Sequence, residues 1–445
     1  MARWCWSREG AARWAAAAVD AALGFGVVRL FAYVNKYAVD IFFRDEWDYF
    51  RPLFEHDPEW HAFAWQHGPH RMGVGMLLMQ ALLTVSHWNS RVIAFAAAAI
   101  YMLAAVLALW LKRRVAGPLS VFDAGIPMLF LVLGHYETWV GATNLSHGPL
   151  PLLMAVGFAL LLTVRSDWIC ATGAGLLVAL AVYTGFAVFI AVVALALFPV
   201  LAVRAWPRRA AAALYALAFL LTLGSLASFF VGYRIAPAVE CFVFPDPHPF
   251  QYVRFLGGVL SRPLGLGRNV GFQGWVQVAV ALAALVLVTF APVRVVRGRA
   301  RDPLWLAIAS LGGFSLLFGV NSALGRVCLG TDGATASRYV PYAIAGIFAA
   351  YLAVATLRSP PWLRPAALSL FVAASLARDL VQRLRPDIEN LHQIKSKWRD
   401  CYLPTHDIDR CQRESSFGIY RRPEATHLLE KLDFLEQNHF NLFSR

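Results

Sequence analysis

The chain has 445 residues, of which 59% are hydrophobic and only 15% are charged, and its mean hydropathy is +0.54. That leaves too little polar surface to cover a soluble globule, so the composition excludes a soluble enzyme and marks an integral membrane protein. The net charge of +13 is carried largely by arginines clustered between apolar runs, a pattern of membrane orientation rather than of nucleic-acid binding.

A helix needs roughly 17 to 25 apolar residues to cross the hydrocarbon, and the sequence predicts about eleven such crossings. The first covers about Ala15 to Val34. Arg3, Arg8 and Arg13 flank its start without an obvious small-x-small cleavage site, so it reads as a retained signal-anchor helix. Asp20 and Arg29, near its two ends, read as structural. An outer segment, residues 35–90, follows. Its front, Asn35 to Arg71, is polar and contains Arg44-Asp45-Glu46-Trp47-Asp48-Tyr49 and Gln66-His67-Gly68-Pro69-His70-Arg71. Its back half, Met72 to Val85, is apolar but short, and is expected as a helix lying near the interface against the bundle.

The later crossings are expected at about Val92 to Leu111, Phe122 to His135, Leu150 to Val164, Ile169 to Tyr183, Phe186 to Val203 and Ala211 to Val231. Phe272 to Val293, Leu304 to Val320, Val340 to Leu357 and Ala366 to Val381 complete the series. With the N-terminus in the cytoplasm, the basic clusters Lys112-Arg113-Arg114, Arg204 to Arg209, Arg294 to Arg301 and Arg358 to Arg364 all fall on the inner side. The same parity sends three loops richer in polar groups outside: His135 to Gly148, Gly232 to Gly271 and Asn321 to Tyr339. It also sends the tail, residues 383–445, outside, as a small cap on the transmembrane domain of residues 1–382.

Cys401 and Cys411 lie in that tail, so an oxidising compartment favours their pairing. The bridge would stabilise the cap by roughly 2 to 3 kcal/mol. Cys241 and Cys328 also fall on outer loops, whereas Cys5 and Cys170 lie toward the cytoplasm and are expected as free thiols. Leu428, Leu429, Leu432 and Leu435 are expected to form an apolar stripe on a cap helix. No phosphate-binding loop, zinc His-Glu-x-x-His pair, nucleophile elbow or dinucleotide fingerprint occurs in the chain. ATP-driven transport within this chain is thereby excluded.

The first helix, the outer loop opening with Asp45-Glu46-x-x-Tyr49, the Gln66 to Arg71 segment, Gly325-Arg326, Ala336-Ser337-Arg338-Tyr339 and the cysteine-bearing tail together resemble a bacterial branch of the GT-C membrane glycosyltransferases. The likeness covers most of the chain in layout and these short motifs in residues. It implies a GT-C-like all-α fold in the bacterial inner membrane, a site at the outer membrane–water boundary, and sugar transfer from a polyprenyl-phosphate donor to a hydroxyl of a glycan or lipid acceptor.

Such transfer needs a carboxylate to take the acceptor's proton, worth roughly 100- to 10,000-fold, and cations to hold the departing phosphate. The resemblance makes Asp45 the general base and Glu46 its companion. Asp48, three positions on, competes for the role if the segment is helical. The bland alternative is a solvated cap on the first helix. Arg338 and Arg326 are the first choice for the phosphate, with Arg71, Arg262 and Arg268 behind them; snorkelling or carboxylate pairing is the competing role. Tyr49, His67, His70, Trp139, Asn144 and His147 are candidates to line the acceptor or sugar pocket, against roles in loop packing and the aromatic belt. No cofactor is required; two histidines could begin a divalent-metal site, but no third ligand is evident. A lipid-glycan flippase or transporter, a glycan ligase or polymerase, and a non-catalytic scaffold are the rival functions.

Overall fold

Inside a bilayer the backbone must satisfy its own polar groups, and the apolar runs do so as helices. The computed structural model describes residues 8–235, 239–266, 271–298, 302–357, 360, 362–383, 387–420 and 422–444. Among these residues, seven helices are long and apolar enough to cross a membrane: Gly10–Tyr37, Ser90–Ala116, Gly185–Ala205, Arg209–Phe229, Gly271–Arg297, Pro303–Leu329 and Ser337–Thr356. Five shorter apolar helices accompany them: Gly73–Val85, Val121–Phe130, Pro149–Leu162, Asp167–Val182 and Leu363–Ala377. The protein is a multi-pass, all-α membrane protein. Its described β-structure is one short antiparallel hairpin, in which Gln66 faces Arg71 and His67 faces His70.

The Ser90–Ala116 helix runs through the core. Ala94, Ala97, Ala98, Ala104, Ala105 and Ala108 are buried along it, a spacing that gathers small residues on a broad face and lets neighbouring backbones approach. The Pro149–Leu162 helix packs there. Asn89 starts the Ser90–Ala116 helix by accepting a hydrogen bond from the Arg91 amide at 3.0 Å, and Gly117, with φ +82°, follows its end.

The apolar run expected as a crossing at Phe122 to His135 is broken. It folds as a 3-10 turn, Val121–Ala124, and a six-residue helix, Gly125–Phe130, before the backbone leaves helical geometry. Arg29 of the first helix donates to the Leu131 carbonyl at 2.9 Å, satisfying an acceptor that an interrupted helix exposes. Lys112 also departs from its expected place in a solvated basic loop. It is buried and bridges Asp123 at 2.7 Å, and Tyr351 donates to the other Asp123 oxygen at 2.6 Å. The end of the Ser90–Ala116 helix and the turn that follows it are thereby tied to the distant Ser337–Thr356 helix.

The tail forms the Asp387–Thr405, Ile408–Glu414 and Leu428–Gln437 helices. Leu428, Leu432 and Leu435 are buried, but Leu429 is exposed, so the inward stripe keeps only the positions spaced at four and three. Cys401 pairs with Cys411, and Cys241 pairs with Cys328. Cys170 is a buried free thiol; Cys5 lies outside the described residues. The tail docks on the first extramembrane segment, where the Arg44 amide donates to the Ile419 carbonyl at 2.8 Å and Lys431 Nζ donates to the Trp47 carbonyl.

Candidate functional site

Where the tail meets that segment, a cavity of about 380 Å³ opens, within the roughly 300 to 1,000 Å³ usual for small-molecule sites. The acidic motif supplies one wall. Arg44 adopts a left-handed conformation, φ +52°, and the Asp45 carbonyl then accepts the Asp48 and Tyr49 amides at 3.0 and 2.9 Å, closing a single helical turn. This turn separates the three carboxylates. Asp45 is exposed and lines the cavity. Glu46 points inward, accepting the Phe43 amide at 2.6 Å and the Thr143 amide at 2.9 Å. Burial pushes its carboxyl up to about 7, against the pull of Lys395 and these amides. Asp48 is turned toward the tail and accepts the Tyr420 hydroxyl.

Glu46 therefore holds structure, stitching the motif to the loop after His135. Tyr49 reinforces the stitch, donating to the Thr143 carbonyl at 2.5 Å while lining the cavity. The shared face expected for Asp45 and Asp48 does not arise, because one turn between non-helical neighbours leaves each side chain to its own tertiary partner.

The hairpin and the loop at 135–148 supply the histidines. His67 and His147 line the cavity; His70 is buried behind them and pairs its Nε2 with that of His147. Burial depresses all three imidazoles. His147 is driven to about 3, first by burial and then by the charges of His67, Arg338 and Arg326. It is neutral near pH 7. Asn144 also lines the cavity, its Oδ1 accepting the Ser146 amide at 2.8 Å. Trp139 does not belong to this group. It is fully buried against Tyr101 and His135, with ring centroids 4.6 and 4.3 Å away.

The five candidate phosphate arginines separate sharply. Arg338 lines the cavity. Its guanidinium lies 5.5 Å from the Tyr339 ring centre and that of Arg326 lies 6.0 Å from the same ring, so one aromatic side chain gathers two cations. Glu137, another lining residue, fixes this turn by accepting the Ser337 hydroxyl at 2.8 Å and the Arg338 amide at 3.1 Å. Arg71, in contrast, is buried with its guanidinium engaged by main-chain carbonyls: Ala64 at 2.5 Å, Phe229 at 2.7 and 2.9 Å, and Val231 at 2.6 Å. Arg262 is buried at the end of the Phe250–Ser261 helix and does not line the cavity. Arg268 lies outside the described residues.

Several lining residues were not among the sequence-derived site candidates, the charged Arg44, Glu137 and Asp387 and the amide Asn390 among them. Glu137 stood visibly in a polar loop, but nothing local linked it to a turn 200 positions away. Among the described residues, no group of three or more His, Cys, Asp or Glu side chains is placed to hold a metal ion. The arrangement offers a solvent-facing carboxylate, neutral imidazoles and two arginines, Arg44 and Arg338, around one hollow. No family model matches the chain, and no curated protein matches it either.

Proposed function

We propose that the protein is a GT-C-like glycosyltransferase that moves a sugar from a polyprenyl-phosphate donor to a hydroxyl acceptor, with inversion. The observation that carries this reading is the shared cavity: Asp45 and Arg338 line the same hollow, and the Arg326 guanidinium lies over the ring of Tyr339, next to Arg338 in the chain. Asp45 takes the acceptor's hydroxyl proton as that oxygen attacks the anomeric carbon. The bond from the anomeric carbon to the phosphate oxygen breaks, and its electron pair leaves with the phosphate. Arg338 and Arg326 stabilise that charge. A single displacement by one base inverts the anomeric centre. These groups require no metal.

The seven long helices, together with Val121–Phe130, Pro149–Leu162, Asp167–Val182 and Leu363–Ala377, give eleven crossings in this reading, the broken one being completed by residues 131–135. The N-terminus then faces the cytoplasm, and the cavity and cap face outward from a bacterial inner membrane. Two disulfides support an oxidising compartment for the loops that carry them.

The test is transfer of radiolabelled sugar from a panel of polyprenyl-phosphate sugars by purified protein in nanodiscs. Asp45→Asn is expected to lower transfer at least 100-fold with folding and polyprenyl-phosphate binding intact. Transfer near wild type in that variant would remove Asp45 from the base role.

A further inference from the structure

The cavity has a second wall that the transfer chemistry above does not use. It comes from the tail. Asp387, Asn390, Leu391 and Ile394 all line the cavity, and their spacing places them on one face of the Asp387–Thr405 helix. The adjoining flank is buried through Ile388, Lys395, Trp398 and Tyr402. Lys395 fixes that packing, its Nζ donating to the Val140 and Gly141 carbonyls at 3.1 and 3.4 Å. The cavity-lining face is therefore held in place against the loop that forms another part of the same wall.

This face is divided along its length. Asp387 and Asn390 present hydrogen-bonding groups in the first turn, and Leu391 and Ile394 present aliphatic surface in the next. Phe417 extends the apolar part, its ring stacked 5.6 Å from Phe43. A pyranose ring has the matching division: a hydroxyl edge that pairs with a carboxylate and an amide, and an apolar C–H face that packs on aliphatic and aromatic carbon. The Asp387 carboxylate disfavours an anion at the first turn of the helix, and the Arg44 guanidinium, 4.8 Å from the Phe417 ring centre, is a further donor to sugar hydroxyls beside it.

We propose that this face of the Asp387–Thr405 helix is the acceptor subsite, binding an uncharged sugar ring through Asp387 and Asn390. The assignment of that ring as acceptor rests on the glycosyl-transfer reading; the binding of the ring itself does not. In this assignment the phosphate lies at the Arg338 turn and the sugar's hydroxyl edge at Asp387 and Asn390.

Saturation-transfer NMR on the full chain in nanodiscs tests this, with methyl glucoside, methyl mannoside and methyl galactoside as probes and decaprenyl phosphate titrated separately. At least one glycoside is expected to bind the wild type, and the Asp387→Ala, Asn390→Ala double variant to weaken it tenfold or more, as loss of two or three hydrogen bonds implies. Arg338→Met should leave glycoside binding unchanged and weaken decaprenyl phosphate. Asn390 is exposed, so a variant with Asn390→Ala alone supplies a second test that spares the cap's packing. Absence of glycoside binding in the wild type, or unchanged binding in both cap variants, overturns the subsite. Cap-dependent glycoside binding without any affinity for decaprenyl phosphate would keep the sugar subsite and overturn the donor assignment instead.

Discussion

Arg71 and Arg338 share a residue type, yet the structure buries one among main-chain carbonyls and leaves the other exposed at the cavity, and a crossed substitution separates their proposed roles. In Arg71→Met the aliphatic bulk is kept while four donor contacts to the Ala64, Phe229 and Val231 carbonyls are lost. Hydrogen bonds from a charged donor contribute about 1.5 to 3 kcal/mol each, but contacts sharing one guanidinium are not additive, so the expected loss is about 3 to 5 kcal/mol. A soluble chain of this length would have an unfolding entropy of about 0.9 kcal/mol/K, which converts the loss to about 4 °C in Tm. Helices retained in detergent reduce that entropy, so the fall in Tm should be at least this large. Differential scanning fluorimetry measures it, and binding of decaprenyl phosphate supplies the second readout. Arg71→Met should lose Tm and keep lipid-phosphate affinity; Arg338→Met, on an exposed turn, should keep Tm and lose affinity. The opposite pattern would refute the assignment of Arg71 to structure and Arg338 to the ligand.

Asp123→Ala strands Lys112 in a buried site and removes the acceptor of Tyr351; the expected cost is about 3 to 5 kcal/mol, read as a lower Tm, with Tyr351→Phe costing about 1 kcal/mol. His147 is held near 3 against an ordinary 6.5, so the folded protein binds fewer protons than the unfolded chain between those values. Its stabilising effect is full above pH 6.5 and is lost as pH falls toward 3, up to about 5 kcal/mol by linkage. His147→Gln should flatten the dependence of Tm on pH in that window, and an unchanged slope would count against it. Replacing Cys401 and Cys411 by serine removes a link across a separation of 10 residues, worth about 3 kcal/mol in the chain-entropy picture. Limited proteolysis should then cut the cap faster while the membrane helices stay intact.

Legibility in the sequence followed the range of the interactions. The apolar helices, the polar segment that carries the acidic motif and the pairing of Cys401 with Cys411 were readable because hydropathy and local spacing carry them. The three carboxylates of Asp45, Glu46 and Asp48 could not be told apart, since their separation depends on Thr143, Tyr420 and the tail. The same limit applied to Trp139, whose partners Tyr101 and His135 make it core, and to Arg71, whose carbonyl partners include Phe229 and Val231.

Membrane residence and helical class are properties of composition and run length, because the cost of exposing backbone and charge to hydrocarbon is summed along the chain and needs no partner to be known. Tertiary structure decided which carboxylate meets solvent, which arginine keeps its charge available, and that one helix of the tail completes the cavity with Asp387 and Asn390. Each of those outcomes depends on burial and hydrogen bonding between segments far apart in sequence, which hydropathy along the chain does not encode.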